Sequence, residues 1–258
     1  MITIKSGREI DLMRRAGDIL ARCLLMLERN VADGVATSEL DRLAGEFVYA
    51  SDCLPSFLGV PGFVDGAPDY PANLCVSVND EVIHGLPGSR RLKAGDIVSI
   101  DMGLIYKGYH SDMARTFCVG AVSDEAARLV RATREAFCEG MLGAVPGNRV
   151  SDISRRVQRR AEADGYSVVR DFVGHGIGTE LHEPPQIPNF VSRGERGERL
   201  AAGMTLAIEP MVNAGAHGVE ILPNKWTVVT RDGSLSAHHE NTLLVTADGQ
   251  PAILSAPA

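Results

Sequence analysis

Residues 97–112 read Ile-Val-Ser-Ile-Asp-Met-Gly-Leu-Ile-Tyr-Lys-Gly-Tyr-His-Ser-Asp, and this stretch restricts the fold more than any other. Two β-prone runs, 97–105 and 108–116, each carry one aspartate, and Tyr106-Lys107 followed by Gly108 supplies a turn between them. A hairpin centred between Tyr106 and Lys107 sets Asp101 directly opposite Asp112. Cross-strand partners hold their Cβ atoms about 4.5–5.5 Å apart, which suits two metal ions separated by about 3.5–4 Å. A slip of one residue would send the carboxylates to opposite faces. Carboxylates so placed repel unless a cation lies between them. On this stretch alone, a pair of solvated hairpin charges is the simpler account.

The rest of the chain bounds the choice. With 258 residues, 45% of them hydrophobic, it is long enough to bury a substantial core, as one large domain or two small ones. A net charge of −7 gives no electrostatic support to general nucleic-acid or anionic-membrane binding. No apolar run reaches the roughly 18 residues of a membrane span, and the first residues lack the basic-then-apolar pattern of a secretion signal. Cys23, Cys53, Cys75, Cys118 and Cys138 are scattered, with no CxxC pair. That argues for reduced thiols in a cytoplasmic protein, against a disulfide framework and against a thiolate zinc site.

Ser6-Gly-Arg-Glu9 reads as a capping box opening a first helix, and Thr37 opens a second. Ser123-Asp-Glu starts a third, and a fourth runs over about 151–163 with Arg155, Arg156, Arg159 and Arg160 on a solvated face. Residues 54–75 hold four prolines and three glycines, which forbid a regular helix and suggest a binding loop. A strand over 74–78 follows. His84, just before a glycine and near Pro87, is expected at a strand end facing a cleft.

Gly-His175-Gly-Ile-Gly178, with His182-Glu-Pro-Pro seven residues on, places glycines on both sides of an imidazole. They allow positive φ and close backbone approach. No Lys-Ser/Thr follows, so a phosphate-cradling loop is excluded, and the spacing is not HExxH. The turn and strand at 92–101, Leu-Lys-Ala-Gly-Asp-Ile-Val-Ser-Ile-Asp, recur at 200–209 as Leu-Ala-Ala-Gly-Met-Thr-Leu-Ala-Ile-Glu. Two related halves across a shared site would produce this, as would chance similarity between strand starts. Glu240 is a final acid entering an apolar strand. Jointly, Asp101, Asp112, His175, Glu209 and Glu240 offer four carboxylates and one imidazole. Such a set suits Mn²⁺, Fe²⁺, Co²⁺ or Zn²⁺, and two ions better than one. His84 and His182 remain for the substrate.

The order of these motifs resembles methionine aminopeptidase type I, from the first helix to about Thr246. The short interval between His182 and Glu209 leaves no room for the insertion of type II enzymes. The resemblance implies an α/β (α+β) pita-bread fold: two pseudo-symmetric halves, with an antiparallel sheet core flanked by helices, forming a single catalytic domain over 1–258. It implies that Asp101 chelates one divalent ion, that Asp112 and Glu240 bridge two, and that His175 and Glu209 complete the second. Glu209 or Glu240 would shuttle a proton, His182 would stabilise the oxyanion, and His84 would hold the scissile peptide. Tyr70, Cys75 and Trp226 would line the methionine pocket. The implied reaction removes methionine from the N-termini of nascent polypeptides before a small second residue. A monomer is expected, with transient ribosome contact compatible and no membrane or specific nucleic acid.

This sequence departs from the family pattern at the pocket. Val60 replaces an expected tyrosine, an insertion precedes Tyr70-Pro71, and Leu181 stands where phenylalanine is common. A remodelled pocket with another N-terminal preference is therefore one alternative. An inactive scaffold is another, although all five ligands are present. Prolidase-like hydrolases would carry an additional N-terminal domain, and a mononuclear iron oxygenase would leave three acids unexplained.

Overall fold

Two helix pairs, each followed or preceded by hairpins, arise from the capping and periodicity read above. The computed structural model describes residues 2–192 and 194–257. In chain order the elements are α1 (Gly7–Glu28), α2 (Thr37–Ala50), β1 (Leu54–Pro55), β2 (Cys75–Val78), β3 (Glu81–Ile83), β4 (Ile97–Tyr106), β5 (Tyr109–Cys118), α3 (Asp124–Met141) and α4 (Val150–Ala163). The remainder is β6 (Ser167–Val168), β7 (Gly174–Gly176), β8 (Glu183–Ile187), β9 (Thr205–Ile208), β10 (Met211–Asn213), β11 (Val219–Ile221), β12 (Val228–Thr230), β13 (Ser236–His238), β14 (Asn241–Leu244) and β15 (Ala252–Ile253).

The capping box at α1 is present: Ser6 Oγ accepts the Glu9 N–H, and Glu9 Oε2 accepts the Ser6 N–H at 2.7 Å. Ser123 caps α3 in the same way, accepting from Ala126. Thr37 begins α2 but does not cap it. Its hydroxyl instead clasps Gly88, accepting the N–H at 2.8 Å and donating to the carbonyl at 3.1 Å. Three of the four arginines on α4 pair with acids: Arg155 with Asp152, Arg156 with Glu139 and Arg160 with Glu135.

Every strand pairing is antiparallel. One sheet runs β1-β4-β2 with β5 against β4, and another runs β15-β14-β9-β7-β8. Helices α1 and α2 bury Leu20, Leu24 and Leu40 against Val98, Ile100 and Met102 of β4. Helices α3 and α4 bury Phe137, Ile153 and Val157 against Leu206 and Ile208 of β9. Apolar burial therefore seats one helix pair on each half.

The repeated segments occupy equivalent places. Gly95 and Gly203 both take left-handed backbone, with φ of +100° and +89°. Gly95 donates to Val119 O and Gly203 to Val245 O; Val119 donates back to Asp96 O, and Val245 to Met204 O. Further out, Leu92 exchanges backbone bonds with Gly34 and Val35, as Leu200 does with Gly147 and Asn148. The recurrence is thus an internal pseudo-two-fold repeat. The halves meet at Ala114 and Glu240, which exchange reciprocal backbone bonds of 3.4 and 3.0 Å.

The expected hairpin register is corrected. The turn is Lys107-Gly108, with φ of +50° and +84°, between partners Tyr106 and Tyr109. Positive φ at both central residues matches the strand twist, and glycine bears it at the second position. Asp101 therefore faces Ala114, and Asp112 faces Gly103. The displacement along the partner strand is two residues, so both carboxylates stay on one face.

Candidate metal centre

Asp101 sits mid-way along β4 and Asp112 on β5, diagonal neighbours with carboxyl groups within hydrogen-bonding reach of each other. Glu209 immediately follows β9 and Glu240 immediately precedes β14, where Ile208 pairs with Asn241. His175 lies on β7 opposite Ala207 of β9. All five side chains line one cavity of about 220 Å³. Asp112, His175 and Glu240 each offer a ligand atom within 4.8 Å of the others'. His175 Nε2 lies 3.5 Å from Glu209 Oε1.

The backbone around these residues is tightly held. Thr242 Oγ1 accepts the Asp112 N–H at 2.9 Å and donates to the Asp112 carbonyl at 3.0 Å. Arg115 donates to the carbonyl of Glu240 and to Asn241 Oδ1. The glycines flanking His175 serve close approach only. A Cβ on Gly174 would meet Ala207 O at 2.4 Å, and one on Gly176 would meet Pro184 O at 2.2 Å. The positive φ expected of them is absent, because β7 is extended and paired on both sides.

The electrostatics point to a cation. Burial, joined by repulsion from Asp112, pushes the Asp101 carboxyl well above its usual range. Burial and the neighbouring acids do the same to Glu209 and Glu240. Burial raises Asp112 to about 7 against the opposing Met113 N–H. Asp101 Oδ1 and Glu240 Oε1 are buried without a hydrogen-bond partner. Burying acceptors in that way is costly unless a cation completes them. His175 Nδ1 lies 2.9 Å from Gly176 O, an acceptor, which fixes the proton on Nδ1 and leaves Nε2 free to ligate. Burial depresses its pKa to about 3, keeping the ring neutral. Hard oxygen donors with one neutral imidazole nitrogen fit a divalent transition-metal ion.

The remaining residues named from sequence line the same cavity. His84 follows β3 with left-handed backbone, φ +57°, and burial lowers its pKa to about 4. His182 stacks edge-on against His175, ring centroids 4.5 Å apart, and burial lowers its pKa too. Tyr70, Cys75 and Trp226 pack with Phe57 into an apolar wall, Tyr70 and Trp226 edge to face at 4.8 Å. Leu181 and Val60 complete it.

Two residues escaped the sequence reading. His238 is buried with both ring nitrogens unpartnered, its Nε2 3.8 Å from Glu209 Oε2. Phe63, in the inserted loop, lies over His84 and Trp226. The double histidine before Glu240 was visible in the sequence, but only strand register tells which of the two points inward.

The description of metallopeptidase family M24 matches residues 11–247. The chain belongs to that family. Among M24 relatives, the methionine aminopeptidase of Clostridium perfringens is 54% identical over 99% of each chain. Methionine aminopeptidase 1 of Bacillus subtilis is 46% identical over 96% of this chain and 97% of its own. The crystal structure of methionine aminopeptidase from Thermotoga maritima, 41% identical, matches 99% of this chain and all of its own with a TM-score of 0.93. The Xaa-Pro dipeptidase from Bacillus anthracis, 22% identical, shares the fold alone: its TM-score is 0.77, and the match covers 98% of this chain and 61% of its own. The M24 chain thus has the pita-bread fold, and M24 membership carries a divalent-metal requirement.

Proposed function

We propose that this M24 protein is a methionine aminopeptidase that hydrolyses the first peptide bond of polypeptides beginning with methionine and a small second residue. The observation that carries this is one cavity with two unlike walls. Four carboxylates, with Asp112 and Glu240 buried and Asp101 and Glu209 partly so, and a neutral imidazole form one wall; Phe57, Tyr70, Cys75 and Trp226 form the other. The apolar wall, with a thiol and three rings, accepts a flexible thioether. Asp101 would hold one ion, Asp112 and Glu240 would bridge, and His175 and Glu209 would complete a second; cobalt, manganese, iron and zinc all suit this set. When bound, such ions supply Lewis acidity and activate water at neutral pH.

The side chains account for the remainder. His182 and His84, both held neutral by burial, donate hydrogen bonds: His182 to the oxygen that gains charge in the tetrahedral state, His84 to the scissile peptide. Glu209 and Glu240 are the carboxyls within the site able to pass a proton to the departing amine. The buried aromatic wall excludes water from the methionine side chain. We read residues 1–258 as one catalytic domain working as a monomer in the cytosol, where ribosome-borne N-termini are its substrates. No helix among the described residues is long and apolar enough to cross a membrane.

Release of methionine from Met-Gly and Met-Ala peptides by metal-reconstituted protein tests the reading. It requires release by the wild type and its loss in both Asp101→Asn and Glu240→Gln. Folded, metal-loaded protein that releases another N-terminal residue instead would favour the remodelled-pocket alternative. Release of none would favour the scaffold.

A further inference from the structure

The loop inserted before Tyr70 is built rather than loose. Gly59 N–H donates to Tyr70 O and Tyr70 N–H to Val60 O, both at 2.8 Å, pinching its stem. Inside it, Ala67 donates to Val64 O, and a Cβ on Gly62 would strike Ala67 Cβ at 2.4 Å. Three bonds moor the loop to the segment before β12. Trp226 Nε1 donates to Pro68 O at 3.0 Å, and Lys225 Nζ donates to Asp65 O at 3.1 Å and Gly66 O at 2.9 Å. So anchored, the loop presents Phe63 edge-on to Trp226 at 5.3 Å and to Phe172 at 5.9 Å, and tilted over His84 at 5.4 Å. Phe63 lines the cavity yet is 48% exposed. It is an apolar ring at the mouth, between the aromatic pocket and solvent.

We infer that Phe63 is a specificity residue that contacts the third side chain of the substrate and favours apolar or aromatic residues there. The inference rests on the aminopeptidase reading for the direction of the bound peptide. With the amine at the acids and the first side chain in the pocket, an extended peptide leaves past His84. Alternate side chains of an extended chain share a face, about 7 Å apart. The third side chain therefore emerges on the pocket's side, one ring's breadth beyond Trp226, where Phe63 waits half-uncovered. The second side chain points away from it. A ring or branched aliphatic group in the third position would cover the exposed face of Phe63; glycine would leave it wet, and aspartate would bury a charge against it.

Trp226 is the chain's single tryptophan, so its fluorescence reports occupancy beside Phe63 without any turnover. The ligands are Met-Ala-Phe, Met-Ala-Leu, Met-Ala-Gly and Met-Ala-Asp with the first peptide bond reduced to CH2–NH, which cannot be hydrolysed. They are titrated into metal-loaded wild type, Phe63→Ala and Phe63→Tyr. The wild type should bind the Phe peptide about three- to ten-fold tighter than the Gly peptide, the range of one aromatic contact. Phe63→Tyr should keep that ratio, and Phe63→Ala should bring it within about two-fold. A ratio near one in the wild type, or one unchanged in Phe63→Ala, overturns the assignment. The unmodified peptides give the separate readout: a fluorescence ratio that behaves as stated with no methionine released leaves the subsite standing and removes the hydrolase.

Discussion

His238 occupies, in the second half of the molecule, the position that Asp112 holds in the first. Thr116 Oγ1 accepts the His238 N–H and donates to its carbonyl, both at 2.9 Å, as Thr242 does for Asp112. Asp112 adjoins Asp101; His238 adjoins Glu209, the counterpart of Asp101. An imidazole thus stands where the pseudo-symmetry would put another carboxylate, and its Nε2 faces Glu209 Oε2.

At 3.8 Å and with no other partner for Nε2, His238 is placed where a small shift would let it position Glu209. Groups that orient metal ligands are worth about 10- to 100-fold in metal affinity. If His238 does so, His238→Leu should weaken binding of the ion that Glu209 would hold by about ten-fold or more, with His238→Gln falling between. Calorimetric titration of both variants with Mn²⁺ checks this. Equal affinities in wild type and His238→Leu would show that His238 merely fills space.

Metal uptake should release protons. The raised acids, with Asp112 at about 7, leave the metal-free site partly protonated near neutrality. Cations displace those protons, so apparent affinity rises with pH through the neutral range. The folded metal-free protein also holds more protons here than the unfolded chain. By linkage its stability falls as pH rises from the unfolded carboxyl range through the raised folded values. Calorimetry in two buffers of different ionisation enthalpy should give at least about one proton released at pH 7 and fewer at pH 8.5; no release would contradict the raised acids.

His182→Ala should lower kcat by about 10²- to 10³-fold with a much smaller effect on KM, as expected for a donor used chiefly in the transition state. Steady-state kinetics on Met-Ala peptides decide it. A rise in KM with kcat intact would assign His182 to ground-state binding instead.

Lys5 pairs with Glu183 at 2.5 Å, both side chains nearly buried, and also contacts the Thr3 hydroxyl. Glu183 in turn accepts the N–H groups of Thr179 and Glu180, closing the loop that carries His182. Removing one partner of a buried pair costs about 3–5 kcal/mol, so Lys5→Met should lose about 3 kcal/mol in urea unfolding at pH 7. Burial pushes the Glu183 carboxyl up, but the bonds from Lys5 and Thr3 prevail and its pKa is lowered. The pair's contribution is therefore present above the unfolded carboxyl range and fades as pH falls through the lowered folded value. Wild type and variant should converge in acid.

Much of the candidate site was legible because its donor residues lie in short, register-bearing motifs. The two glycines framing His175, the repeated Leu-x-Ala-Gly run and the acids borne on or beside strands all survive as structure. The hairpin centre did not, because Lys107 takes left-handed backbone that its side chain gives no hint of. Phe63 was hidden for another reason. The loop's composition announced irregular backbone, but its direction depends on Trp226 and Lys225, which are about 160 residues distant in the chain. His238 needed the pseudo-two-fold to be seen at all.

The reciprocal bonds between Ala114 and Glu240 give the seam between halves a further meaning. Asp101 and Asp112 come from one repeat; His175, Glu209 and Glu240 come from the other. Neither repeat alone owns all five proposed donors, so an ion held by both would work as a clasp as well as a cofactor. Cutting the chain between β5 and α3 would turn metal binding into an association reaction between two fragments. Its strength would then depend on fragment concentration as much as on the ligands.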